Sequence, residues 1–384
     1  MDQATQNGAR NVATKASGLD GVVVADTALS EVDGERGRLV VGGHDIESLA
    51  GRVGFEDLCG LLWTGALPDA ATRGALADAL AEGRALAFEQ IPSLGETLVA
   101  EDGGAALMAA VAHFGARAAW RAADRPAWVE LARITGAVAT FAAAWARRRV
   151  GGVPIAPDKA LGHAADFLRM VRGAAAPEAA ARALDAYLVT VADHGMNAST
   201  FTARVVASTG SDRVSAIVAA IGALKGPLHG GAPGPVLDML DGIGEPSRAA
   251  AWVAAELAAG RRIMGMGHRI YRVRDPRAAV LERAIGELER DGSVGAGARL
   301  ALARATERAA EAQLAERHPD RPLKANVEFY TAVLLDAVGL PRELFTPTFA
   351  VGRAAGWCAH VEEQRRAGRL IRPASRYVGP IPGA

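Results

Sequence analysis

Cysteine is almost absent from this chain. Cys59 and Cys358 are the only two in 384 residues, and they form neither a Cys-x-x-Cys spacing nor a Cys/His pattern. That excludes a disulfide framework and a zinc finger or ribbon, and it suits two buried thiols in a reducing compartment. Aromatic residues make up only 5% of a chain that is half apolar; alanine supplies much of the rest, which favours closely packed helices. No excess of either charge exists, with 43 Lys+Arg against 43 Asp+Glu, so no overall field draws the chain to nucleic acid or to a membrane surface. Every long apolar stretch is broken by a charge or a glycine before 18 residues, which argues against a membrane span. The first 17 residues are polar and have no apolar signal core. The expectation is a soluble, cytoplasmic protein with a disordered tail over 1–17, no metal and no resident cofactor.

From Ile46 onward helical periodicity dominates; Phe55, Leu58, Leu61 and Leu62 share one face and Pro68 ends the segment. Further helices are predicted over roughly 71–89, 104–121, 127–149, 160–173, 178–192, 198–209, 211–223, 234–241, 247–259, 276–291, 296–317, 326–338 and 342–367. Ahead of them, Val22-Val23-Val24 and Arg38-Leu39-Val40-Val41 are β-type runs around a turn-rich Asp33-Gly34-Glu35-Arg36-Gly37, which predicts a small hairpin. The fold class expected is all-α with a small N-terminal β element.

Two histidines carry most of the chemical information. His229 lies in Gly226-Pro227-Leu228-His229-Gly230-Gly231. His268 lies in Gly265-Met266-Gly267-His268-Arg269, followed by Asp275-Pro276-Arg277. Glycine tolerates φ > 0 and lets backbone approach a ligand closely, so two glycine-framed histidines point to a site. His194, in Asp193-His194-Gly195-Met196-Asn197-Ala198-Ser199-Thr200, stands just before a predicted helix that Asn197 or Ser199 could cap, a favourable place for anions. Glu328 opens another helix in Asn326-Val327-Glu328-Phe329-Tyr330. Arg353 sits in an apolar stretch with no adjacent acid, and Arg372 in Arg369-Leu370-Ile371-Arg372-Pro373. An arginine within an apolar helix needs a partner anion. Arginine greatly exceeds lysine throughout, a bias that genome composition also produces. Arg147-Arg148-Arg149 is expected to complement a helix C-terminus and face solvent, the alternative being a contact to the phosphates of a nucleotide-like ligand. No Walker A loop, dinucleotide fingerprint or Ser/Cys nucleophile motif is present. Three arginines suit a di- or tricarboxylate. A carboxylate with histidines suits proton abstraction next to a carbonyl and stabilisation of the enolate.

These motifs resemble the citrate synthase family. Gly226–Ala232, Gly265–Tyr271 and Asp275–Ala278 look like its two histidine signatures. Asp193–Asp212, Asn326–Tyr330, Phe349–His360 and Arg372-Pro373 continue the similarity in order, and Gly18–Ala50 resembles the family's N-terminus. The likeness spans roughly 18–380.

The resemblance implies a two-domain helical homodimer. Residues 18–231 and 339–384 would form the large domain, and 232–338 a small domain closing over the site. The implied reaction joins acetyl-CoA, as co-substrate, to oxaloacetate and hydrolyses the citryl thioester. His229 would stabilise the enol, Glu328 would remove the methyl proton and His268 would polarise the oxaloacetate carbonyl. His194, Asn197, Arg277 and Arg353 would hold oxaloacetate, with Arg372 reaching in from the partner subunit. Gly265, Met266, Gly267 and Arg272 would lie near CoA. One position departs from the pattern: the family base is usually aspartate, and here it is Glu328. A 2-methylcitrate synthase using propionyl-CoA is the nearest alternative, and a non-catalytic oxaloacetate- or CoA-binding homologue is another. The chain lacks the extra N-terminal β region of the longer NADH-inhibited branch and resembles the short dimeric one.

Overall fold

A computed structural model of the protein describes residues 18–382 except 20, 231–232, 269, 293–294, 296, 321–322 and 381. The expected tail over 1–17 lies outside the described residues. Three short strands come first, β1 (Ser30–Asp33), β2 (Arg38–Val41) and β3 (His44–Asp45), in one antiparallel sheet of that order. The turn at 33–37 is where the sequence puts it, but its first strand is not. Val22 and Val23 stand exposed, and Ser30–Asp33 pairs with β2 instead, Ser30 opposite Val41 and Asp33 opposite Arg38. The turn sets the register, so the partner of β2 is the segment directly before it.

Helices account for the rest: α1 (Ile46–Leu49), α2 (Phe55–Thr64), α3 (Ala70–Phe88), α4 (Gly103–Ala116), α5 (Ala127–Arg149), α6 (His163–Arg172), α7 (Glu178–Val191) and α8 (Ala198–Ser208). They continue with α9 (Arg213–Leu224), α10 (Pro233–Ile243), α11 (Ala249–Ala258), α12 (Pro276–Asp291), α13 (Gly297–Arg317), α14 (Val327–Ala337) and α15 (Phe345–Ala367). A 3-10 stretch over Ile91–Val99, broken at Gly95, is an element the apolar periodicity does not announce. No helix among the described residues is long and apolar enough to cross a membrane.

The core centres on α5, buried on all sides from Val129 to Ala146, as a helix apolar all round should be. α3, α4, α6 and α15 pack around it. Arg147–Arg149 end it at the surface. Cys59 and Cys358 are free, buried thiols. α15 lies on α7 at very short range, because a Cβ at Gly356 would overlap the Ala192 carbonyl and one at Gly352 would press on Val191 and Leu188. Only glycine permits that approach, and it sets Arg353 against the C-terminal end of α7. Helices α10 to α14 pack largely on one another, and α12 and α14 join them to α7. The candidate site lies along that join.

Candidate functional site

His194 occupies the loop between α7 and α8, and that loop is shaped from within. Asn197 caps α8, its Oδ1 accepting from Thr200 N (3.1 Å) and Ser199 Oγ (2.8 Å), while its Nδ2 donates to Gly195 O and Thr200 Oγ1. The polar groups of Asn197 are thus engaged inside the loop. Asp193, fully buried, bonds Ser30 Oγ and His360 Nε2, which anchors the loop to β1 and α15. His194 is itself buried, with Nε2 3.1 Å from Tyr271 Oη.

His229 ends a tight turn after α9, its N–H donating to Gly226 O at 2.9 Å. Neither Gly226 nor Gly230 has positive φ. Close approach is the reason for glycine at 230, where a Cβ would stand 2.5 Å from Leu224 O. The imidazole Nε2 meets Ser199 Oγ at 2.8 Å and accepts from Ser199 N at 3.3 Å. Trp357 Nε1 donates to the same Ser199 Oγ (3.1 Å). With a backbone N–H pointing at Nε2, that nitrogen accepts and the proton of a neutral His229 is assigned to Nδ1; the single Ser199 hydroxyl proton then serves either Nε2 or Asn197 Oδ1, not both.

His268 follows Gly265 and Gly267, both left-handed at φ +74° and +85°. Met266 pairs with Ala325 in an antiparallel bridge; Gly267 N donates to Lys324 O and Asn326 N to Gly265 O. Asn326 also caps α14 and sends its Nδ2 to Gly267 O. The loop of His268 and the first turn of α14, which carries Glu328, are therefore tied together. Ile270 N and Tyr271 N both donate to His268 Nδ1, at 3.0 and 3.1 Å, so the ring proton sits on Nε2. Arg269 lies outside the described residues.

Arg277 is pinned by Asp275 in a two-pronged pair, Nε at 3.0 Å and Nη2 at 2.8 Å, and Asp275 also caps α12. Arg353 is only 1% exposed; its Nε donates to Val191 O and its guanidinium lies 4.8 Å from the Phe349 ring centroid. No carboxylate comes within ion-pair distance of it among the described residues. Burial pulls it down to about 10, with Asp193 opposing and Arg277 adding. A buried guanidinium without a counter-ion is a site for an anion.

Glu328 completes the group. Its Oε2 is shut away from solvent and has no hydrogen-bond partner among the described residues. Burial pushes the carboxyl up to about 7, against the pull of Arg277 and Arg353. Burial and Arg353 hold His229 down at about 4, burial and Arg277 hold His268 at about 4, and burial, with Arg277 and Arg353, also lowers His194 well below its ordinary value. Three imidazoles are therefore neutral near pH 7, and in two of them the backbone donors assign the remaining ring proton, to Nδ1 of His229 and Nε2 of His268. A base poised near neutrality, two neutral donors and two buried guanidinium groups suit removal of a proton next to a carbonyl, with the developing oxyanion held by N–H groups.

Sequence reasoning quoted Tyr271 and Asp275 only within the motifs and Ser199 only as a candidate cap, and it did not name Trp357. Asp275, two residues before Arg277 and directly before a proline, carried a legible cap signal; the contacts of Tyr271 with His194, of Ser199 with His229 and of Trp357 with Ser199 come only through the fold. Of the remaining expected residues, Arg272 is exposed, its N–H on Gly34 O and its side chain 3.9 Å from Glu35. Arg372 is exposed on the extended segment after α15, away from any ion pair among the described residues.

Residues 18–374 match the family described as "Citrate synthase, C-terminal domain". A citrate synthase of Haloferax volcanii is 40% identical over 94% of this chain and 95% of its own. A 2-methylcitrate synthase of Mycobacterium tuberculosis is 37% identical over 94% and 90%. The structure of a citrate synthase from Thermoplasma acidophilum, in ternary complex with carboxymethyl coenzyme A and oxaloacetate, is 27% identical and superposes with a TM-score of 0.82 over 94% and 95% of the two chains.

Proposed function

The chain belongs to the citrate synthase family, and we propose that it runs that family's reaction, acetyl-CoA plus oxaloacetate plus water to citrate plus CoA, on the residues gathered between α7, α12, α14 and α15. The observation that carries this reading is Glu328: a carboxyl enclosed beside two arginines, unpartnered at Oε2 and poised near pH 7.

One carboxylate of oxaloacetate supplies the counter-ion that Arg353 lacks among the described residues and the other reaches the N–H groups of Arg277 that Asp275 leaves free, while His268 Nε2–H donates to the carbonyl oxygen. Glu328 takes a proton from the acetyl methyl group while His229 Nδ1–H bonds the thioester oxygen, so the electron pair moves into an enol rather than a free carbanion. The enol carbon adds to the polarised carbonyl, and His268 holds the alkoxide that forms. Water then cleaves the thioester to release CoA. A thioester α-proton is far less acidic than a carboxylic acid, so this step needs a positioned base and simultaneous neutralisation of the oxyanion. Neutral histidines supply hydrogen bonds without adding charge to a site that already holds two guanidinium groups.

Helices α10 to α14, within the segment 232–338, are the part that closes over oxaloacetate and completes the acetyl-CoA site. Their packing on one another supports this. Gly265–Gly267 and Arg272 lie on the CoA side. Arg372 enters the site of a partner subunit in a homodimer, which suits its exposed, unpaired position. The protein works in the cytoplasm.

The test is thiol release from acetyl-CoA with and without oxaloacetate, with the product identified by mass. Oxaloacetate-dependent release and citrate are expected. Faster release with propionyl-CoA moves the assignment to 2-methylcitrate synthase, the activity named for the Mycobacterium relative. Discrimination by one methyl group amounts to only about 1–3 kcal/mol. No release from either by a protein that binds oxaloacetate overturns the enzymatic reading.

A further inference from the structure

Tyr187 lies on α7, one helical turn before Val191, whose carbonyl receives Arg353 Nε. It is fully buried, and its hydroxyl has no hydrogen-bond partner among the described residues. A buried hydroxyl is rarely left unsatisfied. The charged groups that bear on it are Glu328 from α14 first, then Arg353 from α15 and Arg277 from α12. α14 packs on α7, and Glu328 Oε2 in its first turn is, like the Tyr187 hydroxyl and Thr348 Oγ1 on α15, buried without a partner among the described residues. A phenol is a donor at every pH where the enzyme works, since burial and Glu328 push it well above its ordinary value. An ionised carboxylate is acceptor only. Arg353 and Arg277 cannot accept from the phenol, so among these three groups only Glu328 can.

We propose that Tyr187 is a positioning residue for the base: on substrate binding its hydroxyl donates to Glu328 Oε2, directly or through one water, and leaves Oε1 aimed at the acetyl methyl group. This rests on Glu328 being the base. It also gives a physical reason why a glutamate works here: the longer side chain has one more torsion to fix, and a hydrogen bond to its far oxygen fixes it.

The experiment is Tyr187→Phe, which keeps the ring, compared with wild type and Glu328→Gln. The unliganded variant should unfold at the same denaturant concentration as wild type or higher, because the hydroxyl it loses has no partner. Oxaloacetate affinity should be unchanged, kcat should fall about tenfold, and the midpoint of the acid limb of kcat/KM should rise by about one pH step, as expected when a carboxylate loses a donor. A pH profile that superimposes on wild type, with kcat unchanged, overturns the proposal. A destabilised variant with an unmoved midpoint also overturns it, by showing that the hydroxyl only packs. If Glu328→Gln keeps its activity, the assignment of the base has failed. If that variant is inactive and Tyr187→Phe is normal, only the role of Tyr187 has failed.

Discussion

Replacing Glu328 by glutamine should make the protein more stable, and more so as pH rises. The carboxyl has an ordinary value of 4.5 and is held at about 7 in the folded state, chiefly by burial. The sign follows from linkage. Below pH 4.5 the group is protonated in both states and costs nothing. As pH rises from 4.5 to 7 the unfolded chain releases its proton and the folded one does not, so folding loses ground at 1.36 kcal/mol per pH step; above 7 the loss is constant. The full penalty is about 3 kcal/mol, an upper figure because the side chain is partly exposed. Glutamine fills nearly the same space and cannot ionise. Titration of every other group is shared by the two proteins and cancels in their difference. Urea unfolding of both at pH 5.5 and pH 8 should show the stability difference moving by about 2 kcal/mol in favour of Glu328→Gln. A difference that does not change with pH, or that moves the other way, refutes the claim that Glu328 is a strained, desolvated carboxyl.

Three further expectations concern the rest of the site. The pH profile of kcat/KM should have an acid limb with its midpoint near 7 from Glu328, because His229 and His268 stay neutral down to about 4; a limb near 4 alone would assign the titrating group to a histidine. Gly265→Ala places a Cβ at φ +74° and 2.9 Å from Phe329 Cβ; it should cost about 1–3 kcal/mol of stability and lower kcat by loosening the 265–267 pairing from α14, measured by urea unfolding and initial rates. Arg353→Ala and Arg372→Ala should each be inactive alone, yet when co-expressed recover about a quarter of wild-type activity, since random pairing gives half heterodimers with one intact site each. No recovery in a proven heterodimer places Arg372 outside the partner's site.

Much of this was legible in the chain because its signals are local. Helix boundaries from α5 to α14 follow from caps and from Gly and Pro punctuation, and Asn197, Asp275 and Asn326 cap the helices they precede. The histidine motifs were visible because backbone constraints leave glycines behind, as at Gly265 and Gly267. Their reasons differ in detail: the turn of His229 needs glycine for contact with Leu224, not for φ. Strand pairing was misplaced, because the run of higher β-propensity, Val22–Val24, loses to Ser30–Asp33, which the turn at 33–37 sets directly beside β2. Trp357 and Tyr187 come from other elements and reach the site through tertiary packing, so no spacing announces them; Tyr271 and Ser199 stand inside the quoted motifs, but their contacts with His194 and His229 cross between loops. Arg353 shows the opposite case: a guanidinium on an apolar helix face is an anomaly in sequence and remains one in the fold, with no counter-ion among the described residues.

The central claim is that Glu328 removes the proton, and it is tested most directly by thiol release from acetyl-CoA by wild type and Glu328→Gln at saturating oxaloacetate, with oxaloacetate binding to each measured by calorimetry. Turnover should fall by about 10²–10⁴-fold while oxaloacetate affinity stays within a few fold. Near-normal turnover by the glutamine variant would contradict the account, because a side chain with no ionisable oxygen would then be doing the work assigned to a base.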